Sequence, residues 1–341
     1  MTWTAGGTIG HSLADVPSSD LMPAESLREI GNTRRMVRTI VRHAGAGDAL
    51  EVARLMDVAG TRGELDGFHA GRSQVTAEFL AAMGGTLVVA EEGDRLIGFM
   101  SPDIKWLVVD PGARRRGIGR LLVAAGMEIE RRRGRPELLV APIVDNAGAL
   151  AFLEACGFRH HSSVWEFVLP GEVDVPPPQV PDGMTLRAYE RVRDIDTLMN
   201  VANAAFVDHP TPLVFERRDV ELSETEPEFE PADIVLLVRA DAPDDAIGFC
   251  MVDRIREEDR LVAGDVTLVG VEPSEQGHGH GRELLRWGIQ RLREASVPRL
   301  TLSVNVTNQR ALLLYELTGF VRVGERPRWA LAITAEPPRA R

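Results

Sequence analysis

The chain has 341 residues, 44% of them hydrophobic, and a formal net charge of −12, which is room for about two domains of ordinary size. That acidic balance excludes a general grip on nucleic acid, which needs a basic face, and suits a cationic substrate better. No apolar run approaches the roughly 20 residues that cross a bilayer, and Cys156 and Cys250 make neither a disulfide framework nor a metal-ligand spacing, so no membrane, structural disulfide or metal is expected.

Met1 to about Ile30 is rich in Gly, Ser, Ala and Pro and lacks the charged-then-apolar pattern of a secretory signal. Residues 1–36 therefore read as a flexible tail, and the expected compartment is the cytoplasm. Residues 37–168 read as a first domain. A linker over 169–183 follows, with five prolines between Pro170 and Gly183 and no periodic apolar face. Residues 184–336 read as a second domain. It begins with a strand over 184–189 and a helix over Asp194–Phe206, then a polar, acidic stretch to about Pro231. Strands are expected at Ile234–Arg239, Ala246–Arg254 and Asp265–Val271. A glycine turn opens a helix over 279–295, a buried-type strand spans Leu300–Val304, and another helix runs over about 307–318. Two strands, near 320–325 and 328–334, close the domain. Strands before, between and after helices indicate an α/β (α+β) fold, a mixed central sheet flanked by helices.

The two domains are copies of one another. Pro111 pairs with Pro273, Gly117 with Gly279, Gly119 with Gly281, Asn146 with Asn308, and Gly157-Phe158 with Gly319-Phe320, each 162 residues apart. In both copies a strand ends in a glycine-rich turn that opens a helix. These turns are Arg114, Arg115, Arg116, Gly117, Ile118, Gly119, Arg120 and Gln276, Gly277, His278, Gly279, His280, Gly281, Arg282. Such a turn is an anion site. The first N–H groups of a helix lack partners, the helix dipole adds positive charge, and glycine lets a phosphate approach the backbone. His278 and His280 are expected to present backbone N–H groups there. Neither copy has the Gly-Lys-Ser/Thr of a P-loop, nor the G-x-G-x-x-G and following acid of a dinucleotide fold.

The turns Arg114-x-x-Gly117-x-Gly119 and Gln276-x-x-Gly279-x-Gly281 resemble the cofactor motif of the GNAT superfamily of N-acetyltransferases. Asn308, Ala311, Tyr315, Gly319 and Phe320 match a second motif of that family. The resemblance implies acetyl-CoA as co-substrate, with its pyrophosphate on the glycine turn and its pantetheine between two splayed strands. It also implies a role for Asn308 in the cofactor site. The thioester carbonyl would meet backbone N–H groups of Val269, Gly270 and Val271 in the second copy, and of Leu107, Val108 and Val109 in the first.

Acyl transfer to an amine needs proton removal from the amine, a donor for the oxyanion and an acid for the departing thiolate. A phenol can be that acid, and Tyr315 stands where the family motif has its tyrosine. The first copy has Leu153 in that place, which cannot donate a proton, so the second copy is expected to be active and the first silent. Family members often carry a carboxylate on the preceding strand, which makes Asp265 the candidate base.

The copies differ most at 219–233, where seven of fifteen residues are acidic. That stretch reads either as an electronegative rim attracting an amine or as a solvated loop. The expected acceptor is the primary amine of a small molecule, an aminosugar, polyamine or antibiotic, acetylated by direct attack. A protein amine is an enzymatic alternative, and a non-catalytic acyl-CoA-binding module another. Asn203–Phe206 with His209-Pro210, Gly264–Val266 and Gly270–Pro273 resemble the tandem mycothiol synthases, which acetylate a cysteinyl amine. That family has glutamate at the place of Asp265 and an arginine-rich turn at Gly277 and His278. A monomer or homodimer is expected.

Overall fold

The structure is a computed structural model that describes residues 29–30, 39–62, 80, 85–102, 105–142, 146–207, 215, 217–224, 229–257 and 260–333. Most of the expected tail, and His209-Pro210, lie outside these residues. In chain order the described strands begin with β1 (Glu29–Ile30), β2 (Thr39–His43), β3 (Val88–Glu92), β4 (Arg95–Ser101), β5 (Trp106–Val109), β6 (Glu137–Val140) and β7 (Arg159–Leu169). There follow β8 (Met184–Ala188), β9 (Ile234–Arg239), β10 (Ala242–Glu257), β11 (Arg260–Val271), β12 (Leu300–Asn305) and β13 (Val321–Ala332). The described helices are α1 (Ala49–Thr61), α2 (Ile118–Arg132), α3 (Ala147–Ala155), α4 (Ile195–Ala205), α5 (Arg217–Glu224), α6 (His280–Glu294) and α7 (Gln309–Thr318).

The chain forms two compact units, one built on Ser163–Glu325 and the other on Leu13–Ser162 with Arg326–Arg341. Within the first, the C-terminal unit, the strands run β7–β12–β11–β10–β9–β8. Its core lies on both faces of the sheet because β9 is apolar on both. Val235 and Leu237 join one cluster with α6 and α7, and Ile234, Leu236 and Val238 join another with α4. Leu87 to Ala90 split the same way between two clusters in the N-terminal unit, whose sheet runs β1–β2–β3–β4–β5.

The units do not follow the repeat boundaries. Val164–Leu169 of β7, the last strand of the first repeat, pairs antiparallel with Asn305–Leu300 of β12 in the C-terminal unit. Trp329–Ala332, the end of the second repeat, pairs with Val140–Glu137 of β6 in the N-terminal unit. Each repeat thus completes the other's fold.

Three expectations are corrected. The two closing strands are one continuous strand, β13. Gly324 and Pro327 read as breaks because glycine and proline weaken a strand interior, but the extended strand continues through both. Glu29 and Ile30, within the expected tail, pair with β2. The acidic stretch after α4 contains α5, pinned where Val220 is buried and Glu224 accepts from the Tyr189 hydroxyl at 2.7 Å.

α2 and α6 begin at a glycine and end in arginines, Arg131 and Arg132 or Arg291 and Arg293, which complement the helix dipole. The entry to α4 is held by Asp194, 1% exposed. It accepts from Arg187 Nη1 and Nη2 at 2.6 and 2.9 Å and from the Glu190 N–H at 2.8 Å. Burial pushes its carboxyl up, but the Arg187 guanidinium and the Glu190 N–H outweigh that and hold it below the usual carboxylate range. Because the folded value is depressed, this stabilisation is present above about pH 4 and is lost as pH falls through the folded value. Asp194→Asn should lower stability by about 3 kcal/mol at pH 7, since it leaves a half-buried guanidinium without its charge partner. Chemical denaturation at pH 7 and pH 3 checks this, with the difference between variant and parent shrinking at pH 3.

Candidate active site

The strand split comes first, because it makes the slot. β11 and β12 run parallel and pair only at Gly264↔Leu300 and Asp265↔Thr301. Beyond that point β11 keeps its other neighbour, β10, down to Val271↔Gly248. A bulge sits at the divergence, where Met251 faces Leu268 and Val252 faces Val266, leaving Thr267 unopposed. An extra residue bends and twists its strand, which turns the end of β11 away from β12. Val269, Gly270 and Val271 therefore lie where β11 has no β12 ladder. At Gly270 a Cβ would stand 2.4 Å from the Phe249 ring and 2.9 Å from Ala205, so this glycine lets α4 close on the strand.

β11 then enters the turn. Pro273–Glu275 make a tight helical turn and Gln276 is extended. Gly277 and Gly279 take φ of 89° and 88°, left-handed values that side chains avoid. A Cβ on Gly277 would meet nothing within 4 Å, so the outer face of the turn is open. α6 starts at His280, and the Arg282 and Glu283 N–H groups both return to Gly279 O at 3.0 and 3.3 Å. The N–H groups before them have no carbonyl a turn earlier and remain for an anion. The residues present thus fit a pyrophosphate. The Gln276 side chain has a different task, as its Nε2 donates to Val271 O at 2.9 Å and locks strand to turn.

The N-terminal unit repeats this backbone. Gly117 has φ of 87°, and Arg115, in place of Gly277, is driven to 63°. Arg114 Nε donates to Val109 O at 3.0 Å, as Gln276 does to Val271. Arg116 pairs with Glu92, and Arg120 donates to Ala155 O at 3.2 Å, so the basic cradle expected of these arginines is partly spent on the unit itself. A Cβ on Gly119 would meet the Phe152 ring at 2.8 Å, whereas at Gly281 the first neighbour is Leu314 at 3.9 Å. Leu107, Val108 and Ile118 lie on β5 and at the start of α2.

Tyr315 lies on α7, buried, with its ring 6.4 Å from Phe167 and 6.1 Å from Phe320. Burial pushes the phenol above its ordinary value, and the nearby Cys250 and Asp265 push it further. Asp265, 5% exposed, is the last β11 residue paired with β12, and accepts from Thr301 Oγ1 at 2.7 Å. Asp265 thus lies at the foot of the split, and its charge is among the causes that raise the Tyr315 phenol. Leu153, the counterpart of Tyr315, is buried in an apolar core. Asn308 uses its side-chain oxygen to cap α7 at the Ala311 N–H, 3.2 Å away, as Asn146 caps α3 at Ala149.

Two contributors escape sequence reading. Thr301 is one. Phe167 is the other, because it belongs to the first repeat but forms the ring wall beside Tyr315. Three acids of the expected rim are engaged within the fold, whereas Glu226 and Glu228 lie outside the described residues. Asp233 is held by Arg254 and Arg291 at 2.8 and 2.7 Å, Glu224 by Tyr189, and Glu230 caps the Ala232 N–H.

A model of the acetyltransferase (GNAT) family matches residues 195–320, and one of a GNAT domain matches 83–160. A mycothiol acetyltransferase of Thermomonospora curvata is 37% identical over 63% of this chain and 69% of its own length. The chain belongs to the GNAT acetyltransferase family. A second mycothiol acetyltransferase, from Rhodococcus erythropolis, is 32% identical over 81% of this chain and 94% of its own. A tandem GNAT protein of the clavulanic acid biosynthesis pathway shares the fold, with a TM-score of 0.60 and 19% identity over 88% of this chain and all of its own. As a GNAT enzyme the chain is an N-acetyltransferase with acetyl-CoA as co-substrate, which sets aside the reading as a non-catalytic module. Among the described residues no helix is long and apolar enough to cross a membrane.

Proposed function

We propose that the C-terminal unit carries the acetyl transfer, to the primary amine of a small molecule, and that the N-terminal unit is catalytically silent. The observation that carries this reading is a buried phenol, Tyr315, in the unit whose strand split has Asp265 at its foot, against Leu153 at the matching place in the other unit. Bound acetyl-CoA supplies an activated carbonyl, so that attack forms a C–N bond as the C–S bond breaks. Asp265, oriented by Thr301, takes the proton from the amine. The β11 backbone from Val269 to Val271 donates to the oxygen on which negative charge develops. Tyr315 gives its proton to the departing sulfur. Gly277 to Arg282 hold the pyrophosphate, and α6 lends its dipole.

A second reading of the acceptor is favoured by the two relatives named mycothiol acetyltransferase, namely a cysteinyl amine of the kind that family uses. The test follows thiol release from acetyl-CoA over a panel of amines that includes such a thiol precursor, aminosugars and polyamines. Two variants separate the units. Gly279→Ala places a side chain at left-handed φ in the C-terminal cradle and should lower kcat/KM by about tenfold or more, the equivalent of about 1.4 kcal/mol or more of strain and lost fit. Gly117→Ala does the same in the N-terminal unit and should leave turnover within about twofold. The reverse pattern would overturn the assignment.

A further inference from the structure

We infer that the start of the C-terminal cradle is also a divalent-metal site, formed by Glu275, His278 and His280 and suited to zinc-class ions. One ligand atom from each of the three lies within 4.8 Å of those of the other two. Glu275 closes the short turn before the glycines, and His278 and His280 alternate with Gly277, Gly279 and Gly281. The Glu275 carboxylate is already oriented, since Arg239 Nη2 donates to its Oε1. Its Oε2 faces His280 Nε2 at 3.8 Å, too long for a hydrogen bond.

The buried histidine points to a ligand. His280 is 6% exposed and its Nδ1 has no hydrogen-bond partner. A buried imidazole nitrogen without a hydrogen-bond partner carries an uncompensated desolvation cost, and that nitrogen here is Nδ1. The other nitrogen, Nε2, faces the Glu275 carboxylate at 3.8 Å, and a cation between Nε2 and Oε2 would give it the partner it lacks. Zinc bonds imidazole and carboxylate at about 2.0–2.2 Å, so two ligands on one tetrahedral ion stand roughly 3.4 Å apart. The 3.8 Å separation nearly meets that value. His278, exposed, has its ring centroid 5.9 Å from that of His280 and its Nδ1 3.2 Å from Glu275 O. Two imidazoles and one carboxylate favour zinc, cobalt or nickel over magnesium or calcium, and leave a position to solvent. Spacing along the chain concealed the set because one ligand belongs to the turn before the motif and two lie within it.

The test uses the full chain without a histidine tag, stripped by chelator and dialysed. Zinc is titrated calorimetrically, and cobalt(II) is followed by its visible absorption. The expected result is one zinc per chain, a tetrahedral cobalt spectrum and a metal-dependent rise in Tm. His278→Ala, a substitution at an exposed position, and Glu275→Gln should each weaken zinc by about tenfold or more. A His160→Ala, His161→Ala double variant should bind as the parent does. The proposal is overturned by the absence of stoichiometric zinc, or by zinc that persists unchanged in His278→Ala or departs with His160 and His161.

Discussion

Tyr315→Phe is expected to lower kcat by about 100- to 1,000-fold while leaving the Tm within a few degrees. General acids contribute rate factors of about 10²–10⁴, and the change removes only a hydroxyl. The ring keeps its packing against Phe167 and Phe320, which separates lost chemistry from lost structure. The raised phenol value decides the pH behaviour. Tyr315 stays protonated well above its ordinary value of about 10, so kcat should show no alkaline fall below about pH 10 from this group. A raised value also makes a weaker acid. Burial pushes the neighbouring Cys250 thiol up in the same way. Steady-state kinetics from pH 6 to 10 on parent and variant is the measurement. An alkaline limb below about pH 10 present in the parent and absent from Tyr315→Phe would contradict the raised phenol value, and a parent-like kcat in Tyr315→Phe would contradict the assignment.

A fragment that starts at Met184, where the linker invites a cut, should not fold into a working domain. It lacks β7, and with it the partners of six β12 residues. It also lacks Val164, Phe167 and Leu169, which are 2%, 1% and 3% exposed. Burying such side chains stabilises by roughly 1.5–3 kcal/mol each, so three of them amount to about 5–8 kcal/mol, comparable with the 5–15 kcal/mol that keeps a whole domain folded. The bared edge of β12 is also a template for aggregation. The fragment is expected to be insoluble, or to show no cooperative thermal transition and no thiol release, while the full chain shows both. A Met184 fragment that melts cooperatively and turns over would mean that β7 is dispensable.

What the sequence could reveal follows from what each feature depends on. The cradle is legible because left-handed backbone at Gly277 and Gly279 restricts the residues allowed there, and the repeat displays the restriction twice. The unbroken apolar run from Ile234 to Val238 suits a strand buried on both faces, and the paired Asn146 and Asn308 mark helix starts. The strand exchange is illegible because β7 has the same pattern whichever sheet it joins. Only the register of Phe167 against Leu302 decides, and no local rule encodes that partner. The acidic stretch misleads for a related reason. Asp233 and Glu224 read as solvated charges until the fold brings Arg254, Arg291 and Tyr189 to them. Thr301 is invisible for the same cause, since its bond to Asp265 spans 36 positions.

The exchanged strands set an order of events during synthesis. Leaving the ribosome N-terminus first, the chain makes β6 early, but Glu137 finds its ladder partner only in Ala332, close to the end of the described chain. The unit that begins first is the one that finishes last, and it waits with an apolar edge exposed while nearly 200 residues are added. Contacts so distant along the chain slow folding, because the entropy of closing the loop opposes pairing until both ends exist. The completed second unit, which receives β7 as soon as β12 emerges, can therefore assemble ahead of the first, reversing the usual sequence in which N-terminal domains settle before those behind them.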